Sequence, residues 1–353
     1  MRALAFQETG RPLALVERPM PVAGPGEVVL RVAYCGICGS DIHSTEASAS
    51  QVPAGTVLGH EFSGIVSQSG DPEWSVDDRV IAVPLWPCDA CKGAGTCKDN
   101  LGILCPRNKI VGLALDVPGG YAEFVKIGAR HVLSVPDNVA LDAAALAEPL
   151  AVGAHAVRLA GSLRDKRVLV IGAGPIGLAT VAFARRAGAK DVVVSELDAV
   201  KLARALELGA AAGIDPGAGD IAAAFAGITA GAPDCVFECV GVPGILQQCL
   251  AVAGIGASIV VVGVCRHEDT ILPRMAIRKE LKVQFVLGYT AEDFTAALDL
   301  LQSGTFDANT YITERAGFAT LPELFETLRK PNAHGKVVLE PGADHPQSRT
   351  ETT

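Results

Sequence analysis

Cys38, in the run Cys35-Gly-Ile-Cys38-Gly-Ser40-Asp41-Ile-His43, is followed by His60 and Glu61 in Gly59-His60-Glu61 and by Glu148 in Ala-Glu148-Pro-Leu. A thiolate, an imidazole and one carboxylate form a three-ligand set for zinc, and three protein ligands leave a coordination position for water or substrate. An ion held that way acts as a Lewis acid on a bound hydroxyl. Taken singly, His60 also suits a structural histidine and Glu148 a helix start, so the cluster needs support from elsewhere in the chain.

A second cluster differs in kind. Cys88-x2-Cys91-x5-Cys97-x7-Cys105 places four cysteines in 18 residues that also contain Gly93, Gly95 and Gly102. Four soft ligands in a compact loop fit a closed tetrahedral zinc, which holds a lobe together but has no open position for chemistry. Two zinc ions per chain follow, one catalytic and one structural. Cys235, Cys239, Cys249 and Cys265 lie in apolar strand-like or helical segments and read as small core hydrophobes.

The third signal is Gly172-Ala-Gly174-Pro175-Ile176-Gly177, which follows the apolar run Arg167–Ile171 and opens a helical pattern. Gly172 permits a tight turn, Gly174 lets backbone approach a pyrophosphate, and Gly177 lets helix pack closely on strand, with the helix N-terminus facing the anion. Glu196 stands at the end of the next strand, 19 residues after Gly177. A carboxylate there accepts hydrogen bonds from ribose hydroxyls and repels a 2′-phosphate, which favours NAD over NADP. Lys201 offers either a cationic contact to ribose or phosphate or a solvated helix lysine.

The elements that must carry these residues fall into two textures. The first 150 or so residues are β-rich, with apolar runs such as Glu27 to Tyr34 and Arg79 to Pro84 broken by Gly, Pro and Asp, and no sustained helical period. Ala-rich helical sequence begins near Leu146. From Arg167 strands alternate with helices, as in a parallel sheet: Arg167–Ile171, a helix ending at Gly188, Asp191–Ser195, then a helix capped by Asp198 and closed by Gly209. Further buried strands are expected at Cys235–Cys239, Ser258–Gly263 and Leu281–Leu287. Helical periodicity resumes at Asp293, and Lys336–Leu339 closes the pattern.

A length of 353 residues suits two domains, and 49% hydrophobic against 20% charged residues marks a folded chain. The net charge of -9 argues against nucleic acid and anionic membrane as partners. The uncharged run Val168 to Ala184 is only 17 residues long and interrupted by Gly172, Gly174, Pro175 and Gly177, so it reads as strand, turn and helix rather than a membrane span. The N-terminal MRALAFQETGRPLAL lacks a signal-peptide pattern, so cytoplasmic residence is the default.

The stretches CGICGSDIH, GHEFSG, the four-cysteine lobe, PGGYAEF, AEPLAVGAHA and VLVIGAGPIG, in that order, resemble the zinc-containing medium-chain alcohol dehydrogenases from Met1 to about Leu339. The resemblance implies an α/β protein with a GroES-like catalytic domain, residues 1–153 and 290–345, and a doubly wound Rossmann domain, residues 154–289; the polar, aperiodic sequence of 346–353 reads as a disordered tail. It implies Cys38 and His60 as zinc ligands, with Glu61 and Glu148 contending for the remaining protein position and exchanging with water. The glutamate replaces the second cysteine of the alcohol dehydrogenase set, as in the branch resembling sorbitol, threonine and butanediol dehydrogenases. The substrate implied is a secondary alcohol, diol or polyol interconverted with its ketone, and the assembly a homodimer or homotetramer joined partly through the edge strand of the nucleotide domain. Ser40 would take the alcohol proton and relay it by way of the cofactor ribose to His43, while Asp41 orients His60.

Two departures stand out: five residues between Cys91 and Cys97 where the family usually has two, and a short, polar Ser44 to Gly55 stretch. Two rival readings make different demands. A zinc-independent enone or quinone reductase of the same superfamily needs no ligands at Cys38 and His60 and no acid at Glu196. A nonenzymatic zinc-lobe protein needs no nucleotide fingerprint.

Overall fold

The computed structural model describes residues 1–46, 52–86, 102–105 and 108–343. The chain divides into two compact units, one from Met1 to Glu148 together with the residues from Thr290 on, the other Pro149–Tyr289. The first division falls within the helix Ala147–Ala160, a few residues before the position expected after residue 153.

In the first unit the strand Glu27–Gly36 is central, because its sequence EVVLRVAYCG supplies β-branched and apolar side chains on both faces. It pairs antiparallel with Glu61–Ser69, Phe124–Gly128 and Lys336–Leu339. The register sets Gly36 opposite both Glu61 and Val338. The strand end that leads into Cys38 thus lies beside the start of the Glu61–Ser69 strand and beside Lys336–Leu339. Ile312–Ala316, Arg79–Ala82 and Val132–Ser134 complete the sheet. Leu4, Leu30, Phe62, Tyr121 and Phe325 form part of its core.

The second unit is a six-stranded parallel sheet whose strands, numbered by chain order within the unit, stand 3-2-1-4-5-6. This is the doubly wound order, with the first strand, Arg167–Ile171, at the topological switch point. Arg167–Ile171 and Asp191–Ser195 match the sequence expectation residue for residue. Leu169, Val193, Val236, Ile259 and Phe225 are fully buried because helices cover both faces.

Two expectations need correction, and two short helices went unread. The strand Lys282–Phe285 is exposed along its whole length rather than buried, since it forms the outer edge of the sheet. The β-rich first part contains the short helices Gly39–Ser44 and Leu141–Ala144, too brief to display a helical period. Cys239 and Cys265 are half-buried rather than core residues, unlike Cys235 and Cys249. Among the described residues no helix is long and apolar enough to cross a membrane.

Candidate active site

Cys38 caps the six-residue helix Gly39–Ser44, whose third residue, Asp41, turns its carboxylate back to accept the Cys38 N–H at 3.0 Å. Asp41 is completely buried, and desolvation of an isolated carboxylate costs several kcal/mol. That cost is offset by a dense set of donors. Tyr121 donates its hydroxyl to Oδ2 at 2.8 Å, Gly59 donates its N–H to Oδ1 at 3.3 Å, and His60 Nδ1 lies 3.4 Å from Oδ1. Burial alone would raise the Asp41 pKa, yet His60 and these hydrogen bonds bring it below the usual carboxylate value. Burial opposes charge on His60 as well, but Asp41 and Cys38 hold its pKa well above the ordinary value. The field at this imidazole therefore favours a neighbouring positive charge. His60 Nε2 lies 3.4 Å from Ser40 Oγ, on a residue exposed to solvent.

Glu61 opens the strand beside Gly36 and is 1% exposed. Its Oε1 accepts a hydrogen bond from Lys336 Nζ at 2.7 Å, while its Oε2 is buried with no hydrogen-bond partner. One ligand atom from each of Cys38, His60 and Glu61 lies within 4.8 Å of the others. A soft thiolate, a borderline imidazole and a carboxylate with a buried, unsatisfied oxygen fit zinc as a donor set. Glu148 stands outside this compact cluster. It is buried in the first turn of its helix, and its charge reaches Lys336 and Tyr311. Burial lowers the proton affinity of Lys336, but Glu61, Cys38 and Glu148 outweigh it and keep the ammonium charged.

His43, on the same short helix, is exposed, and its Nδ1 lies 3.1 Å from Glu46 Oε1. The structure joins Ser40 to His60 and His43 to Glu46, and does not join Ser40 to His43 directly. Of the four lobe cysteines, Cys105 is buried, while Cys88, Cys91 and Cys97 lie outside the described residues, as does the tail 346–353.

In the second unit the three glycines of the turn meet different local demands. Gly172 has φ +98°, a left-handed conformation that disfavours any side chain. A Cβ at Gly177 would lie 1.9 Å from Gly172 O, whereas a Cβ at Gly174 would meet nothing within 4 Å. Gly174 is the N-cap of the helix Pro175–Arg186, with Pro175 and Ile176 in its first turn, so open space lies beside a helix N-terminus. Glu196 follows directly after the strand rather than ending it, and accepts the Ala173 N–H at 2.8 Å and the Asp198 N–H at 3.0 Å. Its carboxylate is thereby fixed beside the turn. Lys201 lies in the first turn of the helix Ala199–Glu207, where Asp198 caps its N–H.

Lys336, Tyr121 and Tyr311 escape the sequence reading. Lys336 appears there only as the first residue of an apolar strand, and Tyr121 only inside PGGYAEF; a charged residue opening an otherwise apolar strand was the available signal.

A β-rich unit with a Cys, His and Glu donor cluster and a doubly wound unit with a glycine-rich turn define a zinc-binding oxidoreductase that uses a nicotinamide dinucleotide. Residues 24–137 match the alcohol dehydrogenase GroES-like domain, and residues 175–303 the zinc-binding dehydrogenase domain. The chain is 32% identical to (R,R)-butanediol dehydrogenase of Bacillus subtilis, over 91% of this chain and 94% of the relative. It is 33% identical to human sorbitol dehydrogenase over 90% of each chain. The crystal structure of 2R,3R-butanediol dehydrogenase from Bacillus subtilis superimposes with a TM-score of 0.86 at 30% identity, covering 96% of this chain and 99% of that one. The chain belongs to the zinc-containing medium-chain alcohol dehydrogenase family, and it is an oxidoreductase acting on CH–OH groups.

Proposed function

We propose that the chain transfers a hydride between a secondary alcohol, diol or polyol and NAD, giving the ketone, with Cys38, His60 and a glutamate holding the catalytic zinc. The observation that carries this reading is the buried cluster of Cys38, His60 and Glu61 with an unsatisfied carboxylate oxygen. Similarity to a butanediol and a sorbitol dehydrogenase supports the diol and polyol class. When bound, zinc supplies Lewis acidity toward the substrate hydroxyl and the nicotinamide supplies a hydride acceptor.

The chain's own residues do the rest. Asp41 fixes the His60 ring and raises its basicity. Ser40, exposed and within reach of His60 Nε2, takes the substrate proton, which would pass by way of the cofactor ribose to His43 and from there to solvent. Gly174 admits the pyrophosphate, and the fixed negative charge of Glu196 opposes a 2′-phosphate, which favours NAD. A second, structural zinc on Cys88, Cys91, Cys97 and Cys105 belongs to the same reading.

The exposed edge strand Lys282–Phe285, ending in the open Phe285 and with Ile277 and Leu287 also exposed, supports a homodimer or homotetramer built on this edge. Small alcohols and ketones are the partners proposed, in the reducing cytoplasm that keeps the cysteines available as ligands.

The test is a spectrophotometric screen of NADH formation over secondary alcohols, diols, polyols and hydroxy amino acids, repeated with NADP. Turnover should concentrate on diols and polyols with NAD. Equal rates with NADP would remove the role given to Glu196, and inactivity toward every secondary alcohol and polyol would remove the substrate class.

A further inference from the structure

We propose that Lys336 is a positioning residue for the metal centre: its ammonium occupies one oxygen of Glu61, so that the carboxylate meets the metal through the other oxygen alone. The proposal rests on the reading of Cys38, His60 and Glu61 as a zinc site.

Lys336 is held from two directions. Its Nζ donates to Glu61 Oε1 at 2.7 Å and to the carbonyl of Ile37, the residue before Cys38, at 2.9 Å. The neighbouring backbone repeats the attachment, with the Ile37 N–H donating to Val337 O at 2.9 Å. Both members of the ion pair are buried, at 2% and 1% exposure of their side chains. Glu61 is confined on its other side as well, since a Cβ at Gly36 would lie 2.0 Å from its Oε2. A carboxylate gripped in this way cannot swing to present both oxygens.

That restriction has a chemical consequence. Carboxylates bind metals through one oxygen or two, and a second oxygen on zinc would take the position that substrate needs. The site also holds more negative charge than a zinc ion neutralises, with Cys38, Glu61, Glu148 and Asp41 all close by. Lys336 offsets one of those charges and leaves Glu61 a one-oxygen ligand.

The test uses the enzyme loaded with one cobalt(II) per chain in its exchangeable site, with Cys38→Ser as the control that removes the thiolate-to-cobalt band. Visible absorption reports coordination number, because four-coordinate cobalt absorbs more strongly than five-coordinate cobalt. Release to a chelator reports affinity. Lys336→Met should keep the thiolate band, weaken the visible bands and change metal release by roughly 10- to 100-fold, while Lys336→Arg stays near wild type. Glu61→Gln and the double variant Glu61→Gln/Lys336→Met should show the same visible bands, because Lys336 then has no carboxylate to position. Glu61→Gln leaves the Lys336 ammonium buried on the Ile37 carbonyl, whereas the double variant removes both charges of the pair, so the comparison is read in the bands and not in metal release, and it carries the test even if Lys336→Met does not fold.

An unchanged spectrum in Lys336→Met overturns the proposal. So does a further change in the visible bands when Lys336→Met is added to Glu61→Gln, which marks a merely structural lysine. A wild-type enzyme without the Cys38-dependent band overturns the zinc-site reading itself, an outcome distinct from both.

Discussion

Asp41 receives hydrogen bonds from the Cys38 and Gly59 backbone and from Tyr121, and what remains of its charge is directed at His60. Asp41→Asn keeps the size and much of the hydrogen bonding but removes the charge, so zinc affinity should fall by roughly 10- to 100-fold, read by chelator competition on folded protein. A second prediction concerns a residue away from the site. Burial, aided by the Arg130 guanidinium, lowers the pKa of His131 from 6.5 to about 4. Between those values the unfolded chain binds a proton that the folded chain does not, so this contribution is complete above pH 6.5 and is lost as the pH falls toward 4. The loss amounts to at most about 3 kcal/mol. In urea unfolding at pH 7 and pH 4.5, His131→Gln should lose less stability than wild type on acidification; equal losses would mean that His131 contributes nothing. At this scale Cys38 and His60 were legible because metal chemistry restricts residue type and spacing, whereas the carboxylate stayed open between Glu61 and Glu148 until the register set Glu61 beside Gly36. Lys336 was not legible, because its partner lies 275 positions away in the chain and only the sheet register unites them.

The turn between Arg167–Ile171 and Pro175–Arg186 separates two duties that one glycine motif combines. A Cβ at Gly177 would collide with backbone at Gly172, whereas one at Gly174 enters open space. Gly177→Ala should therefore destabilise the protein by about 1–3 kcal/mol, measured by urea unfolding. Gly174→Ala should leave that midpoint unchanged and weaken NADH binding, measured by cofactor fluorescence. The reverse pattern would show that the two glycines have been assigned the wrong duties. Strands such as Arg167–Ile171 were legible because burial on both faces demands an unbroken apolar run. The helix Gly39–Ser44 was hidden because six residues give less than two turns of period, and it is set by the Asp41 capping contact rather than by an apolar stripe. Ala212–Ile214, a three-residue strand containing a glycine, gave no alternation to read.

Over the whole chain, the first unit holds a cluster of metal-donor side chains and the second a glycine-rich turn at a helix N-terminus. The apolar run at Leu281–Leu287 looked like core because sequence cannot tell a strand buried inside its own sheet from one left open at the edge. The open edge itself makes a prediction: Phe285→Asp places a charge on a residue 64% exposed in this chain, and sedimentation should show a smaller assembly with the fold retained. An unchanged sedimentation coefficient would remove the proposed role of this edge in assembly. The catalytic metal is tested most directly by measuring zinc content, NADH binding and turnover together in Cys38→Ser. The expected result is one zinc fewer per chain, NADH binding at the wild-type level and loss of turnover; full zinc content with wild-type turnover would contradict a catalytic centre built on Cys38 and His60.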